Sequence, residues 1–214
     1  MNKSELLGRL RDPGVISILR ADRATNLLEA IRALIAGGVS TIEVTMTTPD
    51  ALQVIAEAKA ALGEKIVMGV GSVLDAETAR HAMLAGAQFV VTPVVRPAVI
   101  AICNRYGIPI ASGAMTPSEA LTAHELGSDF IKIFPAENLG PAYMKALLAP
   151  LPMLQLIPTG GVTPQNVPDY FAAGCAAIGA GSTLLQRDAL EAGAWDRVTA
   201  RAAEFVAAAR KAGR

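Results

Sequence analysis

The sequence contains only two cysteines, Cys103 and Cys175, among 214 residues, too few for a disulfide framework. Both are expected to act as small apolar residues. No histidine, cysteine or acidic residues have the spacing of a metal site; the two histidines, His81 and His124, fall in predicted helices on the far side from the site candidates. Basic and acidic side chains balance at 19 each, so charge gives no reason to expect nucleic-acid or membrane binding.

No apolar run reaches the roughly 20 residues needed for a helix that spans a bilayer. Residues 1–14 are charged and lack the apolar core of a signal peptide, so we expect a cytoplasmic protein. Hydrophobic residues make up 52% of the chain, too many for a disordered protein. The length suits one α/β domain that covers residues 1–214.

Short β-branched segments alternate with helical segments along the whole chain. The predicted strands lie near 14–20, 40–46, 65–70, 88–93, 108–112, 129–134, 154–159 and 176–181. Helices are expected at 24–36, from Pro49, from Asp75, at 97–106, from Thr116, at 140–149, from Thr163-Pro164 and at 190–212. Eight such units predict a single-domain (β/α)8 barrel. The alternative is an open doubly wound sheet, but no G-x-G-x-x-G follows the first strand.

Lys132 interrupts an apolar strand, where an ammonium group is costly to bury. Strand alternation places Phe130, Lys132 and Phe134 on one face, with Ile131 and Ile133 on the other. The isoleucine face suits packing against helices, which leaves Lys132 pointing into the barrel. Desolvation there favours the neutral amine, the nucleophile that forms a Schiff base with a ketone. The alternative is a lysine that reaches solvent at a strand end.

Glu43 lies within the second strand, another poor place for a carboxylate unless it is paired or used. Alternation places Glu43, Thr45 and Thr47 on one face of this strand. A carboxylate opposite the lysine could move protons during catalysis. It could equally form a structural salt bridge with Lys132 or Arg20, and both roles are compatible.

Two glycine-rich segments end strands seven and eight, where barrels often bind phosphate. Glycines let backbone N–H groups approach phosphate oxygens, and a serine in the second segment adds a hydroxyl. Together they favour a phosphorylated ligand, with tight turns as the alternative. The segments are Thr159-Gly160-Gly161 and Gly179-Ala180-Gly181-Ser182.

Six motifs give the chain a resemblance to a known family. They are G-V-x-x-I-E-V-T-x-T (38–47), G-V-G-S-V (69–73), G-A-Q-F-V-V-T-P (86–93), K-I-F-P-A-E (132–137), P-T-G-G-V (158–162) and G-A-G-S (179–182). From about residue 14 to 210, the chain resembles the class I 2-keto-3-deoxy-6-phosphogluconate (KDPG) aldolases, many of which also cleave 4-hydroxy-2-oxoglutarate.

The resemblance implies a homotrimeric barrel that cleaves KDPG to pyruvate and glyceraldehyde 3-phosphate without a metal or other cofactor. It assigns the Schiff-base lysine to Lys132 and the general acid/base to Glu43. It also implies substrate contacts at Ser72, Pro93, Phe134, Thr159, Gly160, Gly161, Gly181 and Ser182.

One position departs from the family pattern. Some members carry an arginine after strand two that engages the substrate carboxylate, and Thr47 stands in that place. Arg20 ends strand one, as in another branch, and we expect it to take this role because its planar fork suits carboxylates. Thr47 is a further expected contact.

Three alternative functions stay open. A related branch cleaves the C4-epimeric galactonate substrate and has valine where this chain has Thr159. Phosphate-binding barrel enzymes of tryptophan or thiamine biosynthesis share the glycine loops but do not require a strand-six lysine opposite a strand-two glutamate. A trimer used only as a scaffold is the third, although no expected catalytic residue is missing.

Overall fold

The computed structural model describes residues 1–23 and 26–213, in which strands alternate with helices. The strands are β1 (Val15–Leu19), β2 (Thr41–Thr45), β3 (Val67–Gly71), β4 (Phe89–Val91), β5 (Ile110–Ala114), β6 (Phe130–Ile133), β7 (Leu156–Pro158) and β8 (Ile178–Ala180). The helices are α1 (Lys3–Arg11), α2 (Leu27–Ala36), α3 (Ala51–Leu62), α4 (Ala76–Leu84), α5 (Pro97–Tyr106), α6 (Pro117–Glu125), α7 (Gly140–Leu148), α8 (Val167–Ala172), α9 (Arg187–Glu191) and α10 (Trp195–Lys211).

The eight strands of the described chain run parallel and form a nearly closed barrel. Each of β1 to β6 pairs with the next strand, and β1 also pairs with β8, where Ile16 lies opposite Gly179. Between β7 and β8 the ring closes through one bridge, which joins Thr159 to Gly179. The predicted (β/α)8 fold is therefore confirmed, and an open doubly wound sheet is excluded because this bridge joins the two strands at the ends of the sheet order.

The barrel wall separates two layers of buried side chains. Ile131 and Ile133 belong to the outer layer between strands and helices, whereas Phe130 belongs to the smaller layer inside the barrel. This alternation confirms that Lys132, which lies between the two isoleucines, points inward. The alternation of side chains along β6 therefore places one amine inside the barrel, on an otherwise apolar strand.

Helix α1 was not predicted from the sequence, although it has a clear start signal. Asn2 accepts a hydrogen bond from the Glu5 backbone N–H, and the Glu5 carboxylate accepts one from the Asn2 N–H. Leu6 and Leu10 of this helix join the inner layer. α1 therefore covers the end of the barrel where the strands begin, opposite the end where catalytic groups are expected.

The start of α8 differs from the sequence prediction. The helix begins at Val167 rather than at Thr163-Pro164. The Asn166 side chain accepts a hydrogen bond from the Thr163 N–H and donates one to the Gly161 carbonyl. This pair of bonds holds residues 163–166 in a turn, so the helix starts after it.

Three other predicted helices also differ in extent. The tail predicted at 190–212 divides into α9 and α10 around Gly193, which has φ +62°. The helix expected to open at Pro49 starts at Ala51. The helix predicted at 24–36 begins at Leu27, and positions 24 and 25 of that prediction lie outside the described residues. No helix in the described ranges has the length and hydropathy to cross a membrane.

Candidate active site

A cleft of about 1000 Å3 opens at the carboxyl ends of the strands. Its walls come from the loops after β1, β3, β4, β6, β7 and β8, and its floor reaches into the barrel. Apart from Thr47, the predicted site residues line this cleft: Arg20, Glu43, Ser72, Pro93, Lys132, Phe134, Thr159, Gly160, Gly161, Gly181 and Ser182.

Lys132 lies in β6 with only 8% of its surface exposed. Its Nζ atom is 3.9 Å from Glu43 Oε1 and 5.2 Å from the centroid of the Phe134 ring. The separation from Glu43 is too long for a hydrogen bond, so the two groups attract each other as charges. The amine faces the cleft while its stem is surrounded by strands, which is the arrangement a buried nucleophile requires.

The carboxylate of Glu43 is fully enclosed on β2. Burial raises the pKa of Glu43, and the positive charges of Lys132 and Arg20 oppose that shift. Within the described part of the chain, Glu43 Oε1 is buried and has no hydrogen-bond partner. A carboxyl that takes up a proton more readily than usual, close to a buried amine, is suited to proton transfer.

The expected position of Thr47 was wrong. β2 ends at Thr45, so strand alternation does not continue to Thr47, which lies exposed in the following turn. Its hydroxyl is instead hydrogen-bonded to Thr45 Oγ1 at 2.9 Å. Thr47 is therefore not among the residues that line the cleft.

Arg20 follows β1 directly, at the rim of the cleft. The next residue, Ala21, donates its backbone N–H to Thr48 Oγ1 at 3.4 Å, and Thr48 is buried. The turn after β2 thus holds the start of the loop after β1. The Arg20 charge reaches Glu43, since it opposes the rise in the pKa of that carboxyl.

Ser72 and Pro93 form the wall after β3 and β4. Ser72 has φ +59°, a left-handed conformation that costs a non-glycine residue roughly 1–2 kcal/mol and that often marks functional sites. Pro93 approaches β5 closely because Gly113, which pairs with Lys132, has no side chain. A Cβ at Gly113 would overlap the Pro93 carbonyl and lie 2.6 Å from the Val94 nitrogen.

The loops after β7 and β8 meet at one side of the cleft. Gly160 and Gly161 have φ +101° and +68°, which favours glycine at both. Thr183 Oγ1 donates a hydrogen bond to the Val162 carbonyl at 2.5 Å, so the second loop is tied to the first. Among the described residues, the backbone N–H groups of Gly161, Ser182 and Thr183 have no acceptor, an arrangement typical of anion sites.

Sequence reasoning missed several cleft residues. Asp22 in the loop after β1 forms a 2.7 Å salt bridge with Arg187 of α9. Trp195, at the start of α10, and Arg23 also line the cleft. No sequence motif marks these residues, so only their positions after β1 and β8 could have indicated that they line the cleft.

The remaining expectations concern residues away from the cleft. His81 lies in α4 and His124 in α6, as predicted. Both cysteines are buried, and burial raises the pKa of Cys103 to about 12, so this thiol behaves as an apolar group. In the described ranges no group of three or more histidines, cysteines or acidic residues could hold a metal ion.

Comparisons with known proteins give one consistent family. The family model "KDPG and KHG aldolase" matches residues 7–201. The 2-dehydro-3-deoxy-phosphogluconate aldolase of Treponema pallidum is 37% identical over 197 residues, which are 92% of each chain. The 2-dehydro-3-deoxy-6-phosphogalactonate aldolase of Escherichia coli is 37% identical over 199 residues, 92% of this chain and 95% of that protein.

Solved structures agree with this result. A KDPG aldolase from Legionella pneumophila, with pyruvate captured as a covalent carbinolamine, aligns with TM-score 0.86 and 25% identity over 94% of this chain and 97% of that chain. Thiamine phosphate pyrophosphorylase from Pyrococcus furiosus aligns with TM-score 0.75 at 15% identity, over 95% of this chain and 98% of that chain. The second likeness concerns the fold alone.

Proposed function

The chain belongs to the KDPG and KHG aldolase family, and from this we propose that it cleaves KDPG to pyruvate and glyceraldehyde 3-phosphate through a Schiff base on Lys132. The chain is an aldolase, a carbon–carbon lyase. The observation that carries the proposal is the buried amine of Lys132, 3.9 Å from the buried carboxylate of Glu43. The pyruvate carbinolamine named for the Legionella pneumophila relative supports the same covalent chemistry.

The first half of the proposed reaction builds an electron sink. Lys132 passes a proton to the Glu43 carboxylate, and the resulting neutral amine attacks C2 of the substrate and forms a carbinolamine. Glu43 gives a proton to the departing hydroxyl, water leaves, and an iminium remains. The positive iminium nitrogen can then accept the electron pair of the C3–C4 bond, which is the role that a metal or another cofactor would otherwise have. We therefore propose that the enzyme needs no cofactor.

The second half breaks the carbon–carbon bond. Glu43 removes the proton of the C4 hydroxyl, glyceraldehyde 3-phosphate leaves, and the electron pair forms an enamine on Lys132. The same carboxyl then protonates the enamine at C3, and water releases pyruvate and the free amine. Glu43 must both donate and accept protons, and its raised pKa suits a group that alternates between these states.

The two ends of the substrate require different partners. We propose that the guanidinium of Arg20 and the hydroxyl of Ser72 bind the C1 carboxylate at the strand-one and strand-three side. The phosphate would lie against the backbone N–H groups of Gly161 and Ser182, at the loops after β7 and β8. Pro93 and Phe134 would pack against the pyruvyl part beside Lys132.

Cleavage of the galactonate epimer is the second candidate. Its support is the E. coli phosphogalactonate aldolase, which is as identical to this chain, at 37%, as the T. pallidum relative. Thr159 is buried to 95% and lines the cleft near Lys132, so its hydroxyl is placed to sense the configuration at C4. We propose that this hydroxyl favours the gluconate form.

We also propose that the enzyme is a homotrimer. Three large apolar side chains are 44–51% exposed in the loops after β3, β4 and β5. They lie at the end of the barrel that holds the cleft, and exposed large apolar side chains on neighbouring loops are typical of a subunit interface. The three residues are Leu74, Val94 and Met115. The molecular mass measured by light scattering during size-exclusion chromatography tests the proposed trimer.

Substrate comparison tests the proposed function. Pyruvate release, coupled to lactate dehydrogenase, is measured with KDPG, its galactonate epimer and 4-hydroxy-2-oxoglutarate. We expect the largest kcat/KM with KDPG, since this ratio reports binding of the transition state. A larger kcat/KM with the epimer would support the second candidate. Absence of pyruvate from all three would contradict aldolase activity.

A further inference from the structure

The carboxylate of Glu43 has an unusual setting, because protein hydrogen bonds do not fix it. Its Oε1 atom is buried without a partner among the described residues, and its nearest charged partner, Lys132, lies beyond hydrogen-bond distance at 3.9 Å. A general acid/base needs a defined position to act. Packing must therefore supply the constraint that hydrogen bonds do not.

Gly71 supplies the space in which this carboxylate lies. Gly71 ends β3 and pairs with Thr45 of β2, two residues after Glu43. A Cβ built on Gly71 would overlap Glu43 Oε1 and Cδ and would lie 2.7 Å from Glu43 Cγ. All three of the nearest atoms belong to the Glu43 side chain, so the carboxylate occupies the volume that a methyl group at position 71 would fill.

Backbone conformation does not explain the glycine. Gly71 lies in a regular parallel strand, its carbonyl accepts the Met46 N–H at 2.8 Å, and its φ lies outside the left-handed region. An alanine could adopt this backbone. Glycine at position 71 is therefore needed to leave space for the side chain of Glu43.

We propose that Gly71 is a positioning residue for Glu43: its lack of a side chain sets the carboxylate against β3, facing the amine of Lys132. This inference rests on the proposed Schiff-base function. A methyl group at position 71 would turn the carboxylate off β3, since a change in the Glu43 side-chain torsions disturbs less than a displacement of two paired strands. Schiff-base formation on Lys132 would be slower but would still reach equilibrium with excess pyruvate, whereas proton delivery to C3 would fail.

The test separates these two steps in the Gly71→Ala variant. Borohydride reduction in the presence of pyruvate traps the Schiff base on Lys132, and mass spectrometry measures it. Exchange of the pyruvate methyl protons in D2O, followed by NMR, measures proton transfer at C3. We expect trapping to persist and exchange to fall on the order of 100-fold or more, the contribution typical of a general acid/base.

A double-mutant cycle with Glu43→Ala shows whether the effect acts through Glu43. Glu43→Ala removes all three of the atoms that lie nearest to a Cβ at position 71. We expect Gly71→Ala to change the residual exchange rate by less than about twofold in this background. Equal losses in both backgrounds, or a Gly71→Ala enzyme with normal exchange, would overturn the proposal.

Gly69→Ala is the matched control. Gly69 lies on the same strand and face, but a Cβ there would overlap the Phe89 ring rather than Glu43. We expect this variant to lose stability, while the ratio of its exchange rate to its trapped Schiff base stays that of the parent enzyme. A ratio lowered as much as in Gly71→Ala would contradict a specific role for Gly71.

Failure of the proposed function has a separate signature. If the unmodified enzyme traps no pyruvate on Lys132, the Schiff-base function itself is wrong. If the unmodified enzyme traps pyruvate and exchanges its methyl protons, and Gly71→Ala does both at the same rate, only the positioning role is wrong.

Discussion

The amine of Lys132 and the carboxylate of Glu43 face each other across the barrel interior, from β6 and β2, with 3.9 Å between Nζ and Oε1. The strands that carry them are not neighbours in the sheet, so the pair exists only because the barrel closes. Both side chains are almost fully buried. A substrate carbon bound to the amine would therefore lie within reach of the carboxylate.

Replacement of Glu43 by glutamine should abolish most activity and stabilise the protein. Loss of the general acid/base should lower kcat by roughly 100- to 10,000-fold. Burial raises the pKa of Glu43, so between the unfolded value of 4.5 and the raised value the native state binds more protons than the unfolded state. Stability of the parent enzyme therefore falls as pH rises through that window, and glutamine removes this loss.

Thermal unfolding of both proteins across pH checks the sign. The Tm of the Glu43→Gln variant minus that of the parent should grow as pH rises above 4.5. A difference that shrinks with rising pH would mean that the ionised carboxylate stabilises the fold.

Replacement of Ser72 by glycine should weaken substrate binding and stabilise the protein. The left-handed backbone of Ser72, φ +59°, costs a serine about 1 kcal/mol and a glycine nothing, so the glycine variant should unfold at higher denaturant concentration. Loss of the hydroxyl should raise KM for KDPG. Ser72→Ala loses the same hydroxyl but keeps the strain, so it should raise KM without the gain in stability. Equal stability of the two variants would contradict this account.

Arg20 should have two separable effects. Arg20→Ala should raise KM by about 10- to 100-fold, the value of a charged hydrogen bond, and should move the acidic limb of the kcat/KM profile to higher pH, because the Arg20 charge opposes the rise in the Glu43 pKa. Arg20→Lys keeps the charge but not the fork. It should raise KM and leave the acidic limb in place, and a shifted limb in the lysine variant would argue against this separation.

Thr183→Val should weaken binding of the phosphate end alone. Thr183 donates to the Val162 carbonyl and so ties the two glycine loops together. Its loss should raise KM for KDPG several-fold and leave KM for 4-hydroxy-2-oxoglutarate unchanged. Thr199→Val is the control, since Thr199 donates to the Ala33 carbonyl away from the cleft. Equal effects on both substrates would mean that these loops do not select phosphate.

The sequence was informative where one residue type conflicts with its surroundings. A lysine in F-I-K-I-F and a glutamate in T-I-E-V-T are costly in buried strands, so both were singled out, and the periodicity of the strand predicted that Lys132 points inward. The strand–helix alternation predicted the barrel for a different reason. Strands that are apolar on both faces must be covered by helices on the outside of the barrel and by packed side chains on the inside.

Other features of the site depend on where a strand ends or on which side chains folding brings together. The short-range pattern of the sequence does not determine either. Thr47 was placed in β2 by alternation, yet the hydroxyl of Thr45 binds it in a turn. Gly71 resembles any strand glycine in the sequence, because its meaning depends on the Glu43 carboxylate that folding brings against it. The salt bridge of Asp22 with Arg187 joins the loop after β1 to α9, and these two segments are distant in the chain.

Covalent trapping tests the central claim most directly. The enzyme is treated with pyruvate and borohydride, digested, and analysed by mass spectrometry, with Lys145, a lysine on α7, as the internal reference. We predict that the reduced pyruvyl group is found on Lys132 and that Lys132→Ala abolishes both the adduct and cleavage. An unmodified Lys132 in an enzyme that still releases pyruvate would contradict the Schiff-base mechanism.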